Sequence, residues 1–370
     1  MIRVLHSVSN MDRGGIETML MNYYRRIDRD KIQFDFICNK KKPGDYDDEI
    51  RSMGGRIFLS PGLNPVKIPE YMSFMKELLS DDSIKILHAH NEAMAYYALE
   101  GAKRAGLPVR IAHAHNTMII RDYKWPLKMV CKALLPYAAT DYWGCGTDAG
   151  IYYFGKKRWS ESGHIMNNAI DLEKFAFDSE IRSEMRQRYG LDKKLVLGHV
   201  GRFNVQKNHM RLLEIFSAVL KQKPDSALVL IGEGELFDKV KSKASQLGIS
   251  DSVILTGLCE EVEKWYMAMD AFVMPSLFEG LPVVGIEAQA SGLPCIYSDK
   301  VTDEAVILDL SETISLSKSN EEWAFEIIKA AEKNGDRERG TRLIRKAGYD
   351  IVTETQKLSE IYLEMSERDK

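Results

Sequence analysis

Glu279 and Glu287 are separated by seven residues in the string FEGLPVVGIEAQASGLP, and the residues around them suit the handling of a phosphorylated, polyhydroxylated ligand. An apolar run, 271–274, of strand character is broken by Pro275 and Ser276. Gly280, Leu281 and Pro282 then lead into Val283–Ala290, apolar enough for a buried helix. Ser291 and Gly292 end that helix before a second short strand, Cys295–Tyr297. In such a strand–loop–helix–strand unit the backbone N–H groups at Gly280, Leu281, Val283 and Val284, with the positive end of the helix dipole, are expected to face the crevice where a phosphate can sit. Carboxylates would repel that phosphate. Glu279 and Glu287 therefore read as acceptors for the hydroxyls of a sugar and a ribose, the plain alternative being a solvated loop acid and a helix-surface acid.

A second candidate anion site is Gly201-Arg202 followed by Lys207, between an expected strand, Leu195–Val200, and a helix, Met210–Lys221. A glycine and two cations at a strand end suit a dianion, or else form a surface ion-pair cluster. After the strand Ala227–Ile231 comes Gly232-Glu233-Gly234-Glu235, which starts like a dinucleotide fingerprint and fails, because Phe237 takes the third glycine position and acids flank the turn. Near the N-terminus, Asp12-Arg13-Gly14-Gly15 opens a helix and permits close backbone approach, although an isolated glycine pair also serves as a plain turn. Asp45-Tyr46-Asp47 has the spacing of a metal-binding acid pair but precedes a helix, where acids complement the dipole.

Four of the eight histidines come as pairs, His88/His90 and His113/His115, at the ends of expected strands Ile84–Leu87 and Val109–Ala112. Residues two apart share a strand face, so each pair puts both imidazoles on one side. A zinc site competes with a catalytic role, but no cysteine or acid accompanies the pairs at metal spacing. The five cysteines show no CxxC pattern, and three of them sit in apolar or small-residue settings, which suggests reduced, buried thiols.

Positioning these groups requires a larger frame. A chain of 370 residues, 45% hydrophobic and 28% charged, suits two globular domains. Strands alternating with helices predict α/β domains with parallel sheets and ligands beyond the strand C-termini. No apolar run approaches the roughly 18 residues of a membrane span, and the opening MIRVL reads as a strand rather than a signal peptide. The expected location is cytoplasmic. The net charge is −3, yet residues 101–160 carry about seven more basic than acidic residues. Within them Arg121, Lys124, Trp125, Lys128 and Lys132 interleave with Ile119, Ile120, Met129, Val130, Leu134 and Leu135. That composition suits docking on an anionic membrane, or equally a core-facing helix with a solvated basic side. Nothing points to nucleic acid. A last strand is expected at Val306–Leu308.

The FEGLPVVGIEAQASGLP string resembles the EX7E signature of retaining glycosyltransferases of family 4 (group 1), which have the GT-B architecture of two Rossmann-like domains with sheets facing across a cleft. GHVGRFNVQKNH resembles the same family's GR…K pattern, and NNAID its NGID passage between domains, with Ala169 in place of the usual glycine. Together with the opening MIRVLHSVSNMDRGGIETMLMNYY and AHAHNT, these segments are similar to bacterial exopolysaccharide and capsule enzymes over nearly the whole length. The resemblance implies an acceptor-side domain over 1–172, rejoined by a C-terminal helix in 351–370, and a nucleotide-sugar-binding domain over 173–350. It implies a nucleotide-diphosphate sugar, UDP being favoured, as co-substrate, with no divalent metal or other cofactor. Gly201, Arg202, Lys207 and the helix start would hold the diphosphate, Glu279 the sugar, Glu287 the ribose, and Gly232 would lie near the nucleotide. His115, with His113 second, would face the sugar, and Gly14 and Gly15 the diphosphate or acceptor side. The implied reaction is hexosyl transfer to an undecaprenyl-diphosphate-linked glycan after domain closure, peripheral to the inner face of the cell membrane. A nucleotide-sugar 2-epimerase of the same fold and a non-catalytic glycan- or nucleotide-sugar-binding protein remain the alternatives.

Overall fold

The structure is a computed structural model that describes residues 1–368 other than 41, 120 and 334. Ile120 and the last two residues of the expected C-terminal helix therefore lie outside the described residues. The chain divides into two compact units, residues 1–169 with 351–370, and residues 170–350. The division falls after Ala169 rather than after 172. Ala169 is fully buried, and among the described residues the non-glycine positions with positive φ are Glu92 and Asn208. The substitution of alanine for glycine in NNAID is thus accommodated without left-handed backbone.

The first unit is built on strands β1 (Ile2–Val8), β2 (Ile32–Cys38), β3 (Ile57–Leu59), β4 (Ile84–Ala89), β5 (Val109–Ala114), β6 (Asp141–Gly144) and β7 (Gly163–Ile165), in the order β3-β2-β1-β4-β5-β6-β7. Every pairing is parallel. Helices cover both faces of such a sheet, so its central strands β1, β4 and β5 are buried at nearly every position and β2 entirely so. The one carboxylate inside β2, Asp35, is neutralised by Arg3 at 2.6 Å and Arg56 at 2.6 Å. The helix Ile351–Ser366 completes this unit, seating Leu358, Tyr362 and Met365 in a core with Phe34, Phe36 and Trp143.

The second unit carries β8 (Leu195–Val200), β9 (Ser226–Ile231), β10 (Val253–Gly257), β11 (Ala271–Met274), β12 (Cys295–Ser298) and β13 (Glu312–Ile314), in the order β10-β9-β8-β11-β12-β13, again parallel. The expected strand at Val306–Leu308 does not form. Gln289, on the helix Val283–Ala290, accepts from the backbone N–H groups of Ile307 and Leu308 at 2.9 Å each and donates to the Ala305 carbonyl at 2.8 Å. One side-chain amide satisfies the groups that a sheet ladder would otherwise need, and the sheet edge is Glu312–Ile314 instead.

In each sheet the strand order reverses once, between β1 and β4 and between β8 and β11. Chain leaving adjacent strands in opposite directions opens a crevice there, beyond the strand C-termini.

Candidate functional site

The loops that follow β8 and β11 meet at the second unit's reversal point, and together with the helix Val283–Ala290 they carry most of the predicted residues. Lys207 Nζ lies 2.6 Å from Glu279 Oε1, with the two side chains 15% and 9% exposed. Several bonds brace the loops. Asn204 Oδ1 accepts from the Lys207 N–H, the Gln206 side chain donates to the Phe278 carbonyl, and Leu277 N–H donates to the Gln206 carbonyl. Asn208 holds a left-handed backbone, φ 56°, at the start of the helix His209–Gln222, and its amide donates to the Pro275 carbonyl at 3.0 Å. A non-glycine residue in that conformation is strained, and such strain persists only where the surroundings over-determine it.

The β9 loop supports this arrangement. A Cβ on Gly232, φ 134°, would lie 2.3 Å from the Gly201 carbonyl oxygen, and one on Gly234, φ 157°, 2.5 Å from that of Phe203. The two glycines are required because backbone packs on backbone, which explains why the fingerprint fails as a dinucleotide motif while keeping its first glycines. The Arg202 side chain is 71% exposed, with Glu235 at 3.9 Å.

The helix Val283–Ala290 begins straight after this crossing, with Pro282 as its N-cap and no side-chain cap. Gly280, Leu281, Val283 and Val284 thus stand at the helix entrance, beside the Lys207–Glu279 pair. Glu287 sits one turn further in. It is buried and accepts from the Tyr266 hydroxyl at 2.9 Å, and burial pushes its carboxyl up to about 7 despite that bond. Glu279 and Glu287 accordingly occupy different environments, one ion-paired and one held near neutrality.

In the first unit the reversal point is lined by imidazoles. β4 and β5 run longer than expected, to Ala89 and Ala114, so His88 and His113 lie inside strands and His90 and His115 just past their ends. His6 of β1 pairs in register with His88, giving five buried rings side by side. His90 and His113 are each about 2% exposed and His115 8%. Burial holds all five well below the ordinary imidazole range, His6 and His115 at about 3. They are neutral at physiological pH. His115 can therefore orient a hydroxyl as a hydrogen-bonding group but cannot stabilise charge as a cation. Two triads, His6/His88/His90 and His90/His113/His115, bring donor atoms within 4.8 Å of one another, the grouping behind the zinc alternative.

Gly14 and Gly15 open the helix Gly15–Arg26 as expected, but Glu17 lies over Gly14, where a Cβ would meet its carboxylate. Asp45, of the acid pair, accepts from the Arg13 N–H at 3.0 Å and so braces that loop. Glu92 was missed from the sequence. Its backbone is left-handed, φ 53°, burial pushes its carboxyl up to about 7, and Asn116 donates to it at 2.8 Å. An acid directly following the strand-end His90-Asn91 is the signal that could have found it. Tyr266 and Gln289, which position Glu287 and the segment beside it, carried no motif at all.

The glycosyl transferases group 1 family matches residues 181–347, and the glycosyltransferase family 4 domain matches residues 13–146. The chain is 36% identical to the putative glycosyltransferase EpsF of Bacillus subtilis over 99% of this chain and 98% of that one. It is 24% identical to the UDP-Gal:alpha-D-GlcNAc-diphosphoundecaprenol alpha-1,3-galactosyltransferase of Escherichia coli, covering 95% and 94% of the two chains. HepE of Anabaena in complex with UDP-glucose shares the fold with a TM-score of 0.80 at 17% identity, over 98% of this chain and all of that one. The chain belongs to glycosyltransferase family 4, and it is an enzyme of that class.

Proposed function

We propose that this glycosyltransferase moves a hexosyl unit, with retention of anomeric configuration, from a UDP-sugar to an undecaprenyl-diphosphate-linked glycan in exopolysaccharide or capsule synthesis. The observation that carries the reading is the Lys207–Glu279 ion pair at the β8/β11 reversal, beside an uncapped helix start. The C1–O bond to the diphosphate breaks, the acceptor oxygen bonds to C1 on the same face, and the acceptor proton passes to the departing phosphate. Lys207, Arg202 and the helix N–H groups meet the negative charge that develops on the leaving group. Glu279 holds sugar hydroxyls, Glu287 the ribose, and the neutral His115 orients the sugar. Electrostatic support of this kind removes the need for a divalent metal, so turnover is expected to survive EDTA. The name of the Escherichia coli relative supports both a UDP donor and a diphosphoundecaprenol acceptor, and those of EpsF and of the Staphylococcus aureus capsular enzyme CapH, 24% identical over 98% of this chain, support the pathway.

The same proposal places the protein at the cytoplasmic face of the membrane. The helix Trp125–Ala138 buries Cys131, Leu135 and Ala138 but leaves Met129, Val130, Leu134 and Tyr137 exposed, near Lys124 and Lys128. Apolar residues among cations suit an anionic surface, and no described helix is long and apolar enough to cross a membrane. Absence of binding to anionic vesicles at low salt, where attraction is strongest, would remove this part.

The test of the chemistry is a panel of UDP-sugars incubated without acceptor. Slow UDP release from one of them supports transfer. Epimerisation of the donor would replace the reading with a 2-epimerase, and donor binding that Lys207→Ala weakens, with no turnover to lose, would make the protein a binding subunit.

A further inference from the structure

Five buried histidines are more than sugar orientation by one of them requires, and their contacts are not random. His6 Nδ1 lies 3.1 Å from His90 Nε2, and His90 Nδ1 lies 2.9 Å from His115 Nε2. The three rings form one head-to-tail chain across β1, β4 and β5. A separate branch joins Tyr362 to His88 Nδ1 at 2.6 Å and His88 Nε2 to His113 Nδ1 at 2.9 Å.

A neutral imidazole has one N–H and one lone pair, so in a head-to-tail chain each ring fixes the tautomer of the next. Only two arrangements are consistent. In one, every ring of the chain carries its proton on Nδ1 and donates toward His115. In the other, every ring carries it on Nε2 and donates toward His6. The inner end decides between them. His6 Nε2 is buried without a partner, among Phe34 and Phe36. A stranded N–H is rarer in proteins than an acceptor left unfilled, so His6 Nε2 is the bare nitrogen.

We infer that His6 and His90 are positioning residues that hold His115 in its Nδ1–H tautomer, presenting a neutral hydrogen-bond donor, not an acceptor, at the outer end of the chain. The spacing suits shared protons. A tetrahedral metal about 2.0–2.1 Å from two imidazoles would hold their nitrogens roughly 3.3 Å apart, wider than the chain's contacts. Only the consequence for turnover rests on the glycosyl-transfer reading. The tautomer stands on the imidazole geometry.

Long-range proton–nitrogen NMR of the full-length chain, labelled at histidine nitrogen, reads each tautomer directly, and single substitutions assign the signals. In the wild type His6, His90 and His115 are expected to show a protonated Nδ1 and a bare Nε2. His6→Met fits the aromatic surroundings and offers His90 a thioether, an acceptor with no proton to give, so that His90 donates through Nε2 and accepts through Nδ1. The His115 nitrogens, in a ring that His6 is not bonded to, should then shift toward Nε2–H. His6→Asn places an amide donor where Nδ1 was and should keep the wild-type pattern. With the UDP-sugar found by the panel above, His6→Met should lower kcat roughly tenfold, the size of one altered hydrogen bond, and leave KM within about twofold, while His6→Asn should keep the wild-type kcat. If His6→Met does not fold, His90→Gln keeps the bond to His6, loses the one to His115, and should move the same signals. An Nε2–H His115 in the wild type, or His115 signals unmoved by breaking the chain, overturns the inference. So does one equivalent of zinc shifting all three rings together, which would make the array a metal site. Expected nitrogen signals in a protein that turns over no UDP-sugar would support the tautomer assignment and reject the glycosyl-transfer reading.

Discussion

Replacing Lys207 by Met removes an ammonium 2.6 Å from a carboxylate that is 9% exposed, while keeping most of the side chain's length. At an effective dielectric near 20 such a pair attracts by about 4 kcal/mol before desolvation, and the cost of taking both ions from water leaves about 2 kcal/mol net. Lys207→Met should therefore destabilise the second unit by about 2–3 kcal/mol, because it takes from the buried Glu279 carboxylate the cation it faces, and Glu279→Gln should cost a similar amount by taking the carboxylate from Lys207. The double substitution leaves no unpaired charge, so its cost should fall short of the sum by about 2 kcal/mol, a coupling well above the 0.3–0.5 kcal/mol of independent sites. Turnover should behave in the opposite way. Each single change should lower donor hydrolysis about 10²–10³-fold, and the double should be no faster than the slower single, since restored stability returns neither the cation nor the sugar-binding acid. Urea unfolding supplies the stability cycle and UDP release the activity. A coupling below about 0.5 kcal/mol, or a double variant that regains turnover, would refute the reasoning.

Three further outcomes follow from other parts of the second unit. Gly232→Ala puts a Cβ 2.3 Å from the Gly201 carbonyl at a backbone φ of 134°, and should cost about 2 kcal/mol or more and weaken UDP binding, measured by calorimetry. Glu287 has a folded-state pKa of about 7 against an ordinary value of 4.5. The folded protein thus binds the proton more tightly, and the stability this gives is complete below about pH 4.5 and lost as pH rises through 7. Glu287→Gln should abolish that loss, up to about 3 kcal/mol between pH 5 and 8, in urea melts compared with the wild type. Asp270 accepts from Arg182 at 2.5 Å and Arg186 at 3.1 Å, at the opposite end of β11 from the reversal-point loop, so Asp270→Asn should cost about 3–5 kcal/mol in unfolding experiments and leave turnover per folded molecule unchanged.

Much was already determined by the order of residues along the chain. Alternating apolar runs and helical periods require parallel α/β sheets, because both faces of each strand must be covered. Glycine, cations and acids placed where a strand ends and a helix begins can only face the crevice at the C-terminal edge, so Lys207, Glu279 and the start of Val283–Ala290 were legible before any coordinates. The tertiary structure decided what depends on partners distant in the sequence. Gln289 replaced a strand at Val306–Leu308 because an amide one helix away reached the free N–H groups first. The carboxyl of Glu287 is held near neutrality by a burial that no local pattern encodes. His6, which has no paired histidine beside it, joins His90 and His115 only because β1, β4 and β5 are adjacent at the reversal. Local sequence governs backbone conformation and which side of a strand a residue occupies, whereas dielectric environment and hydrogen-bond partners are properties of the packed whole.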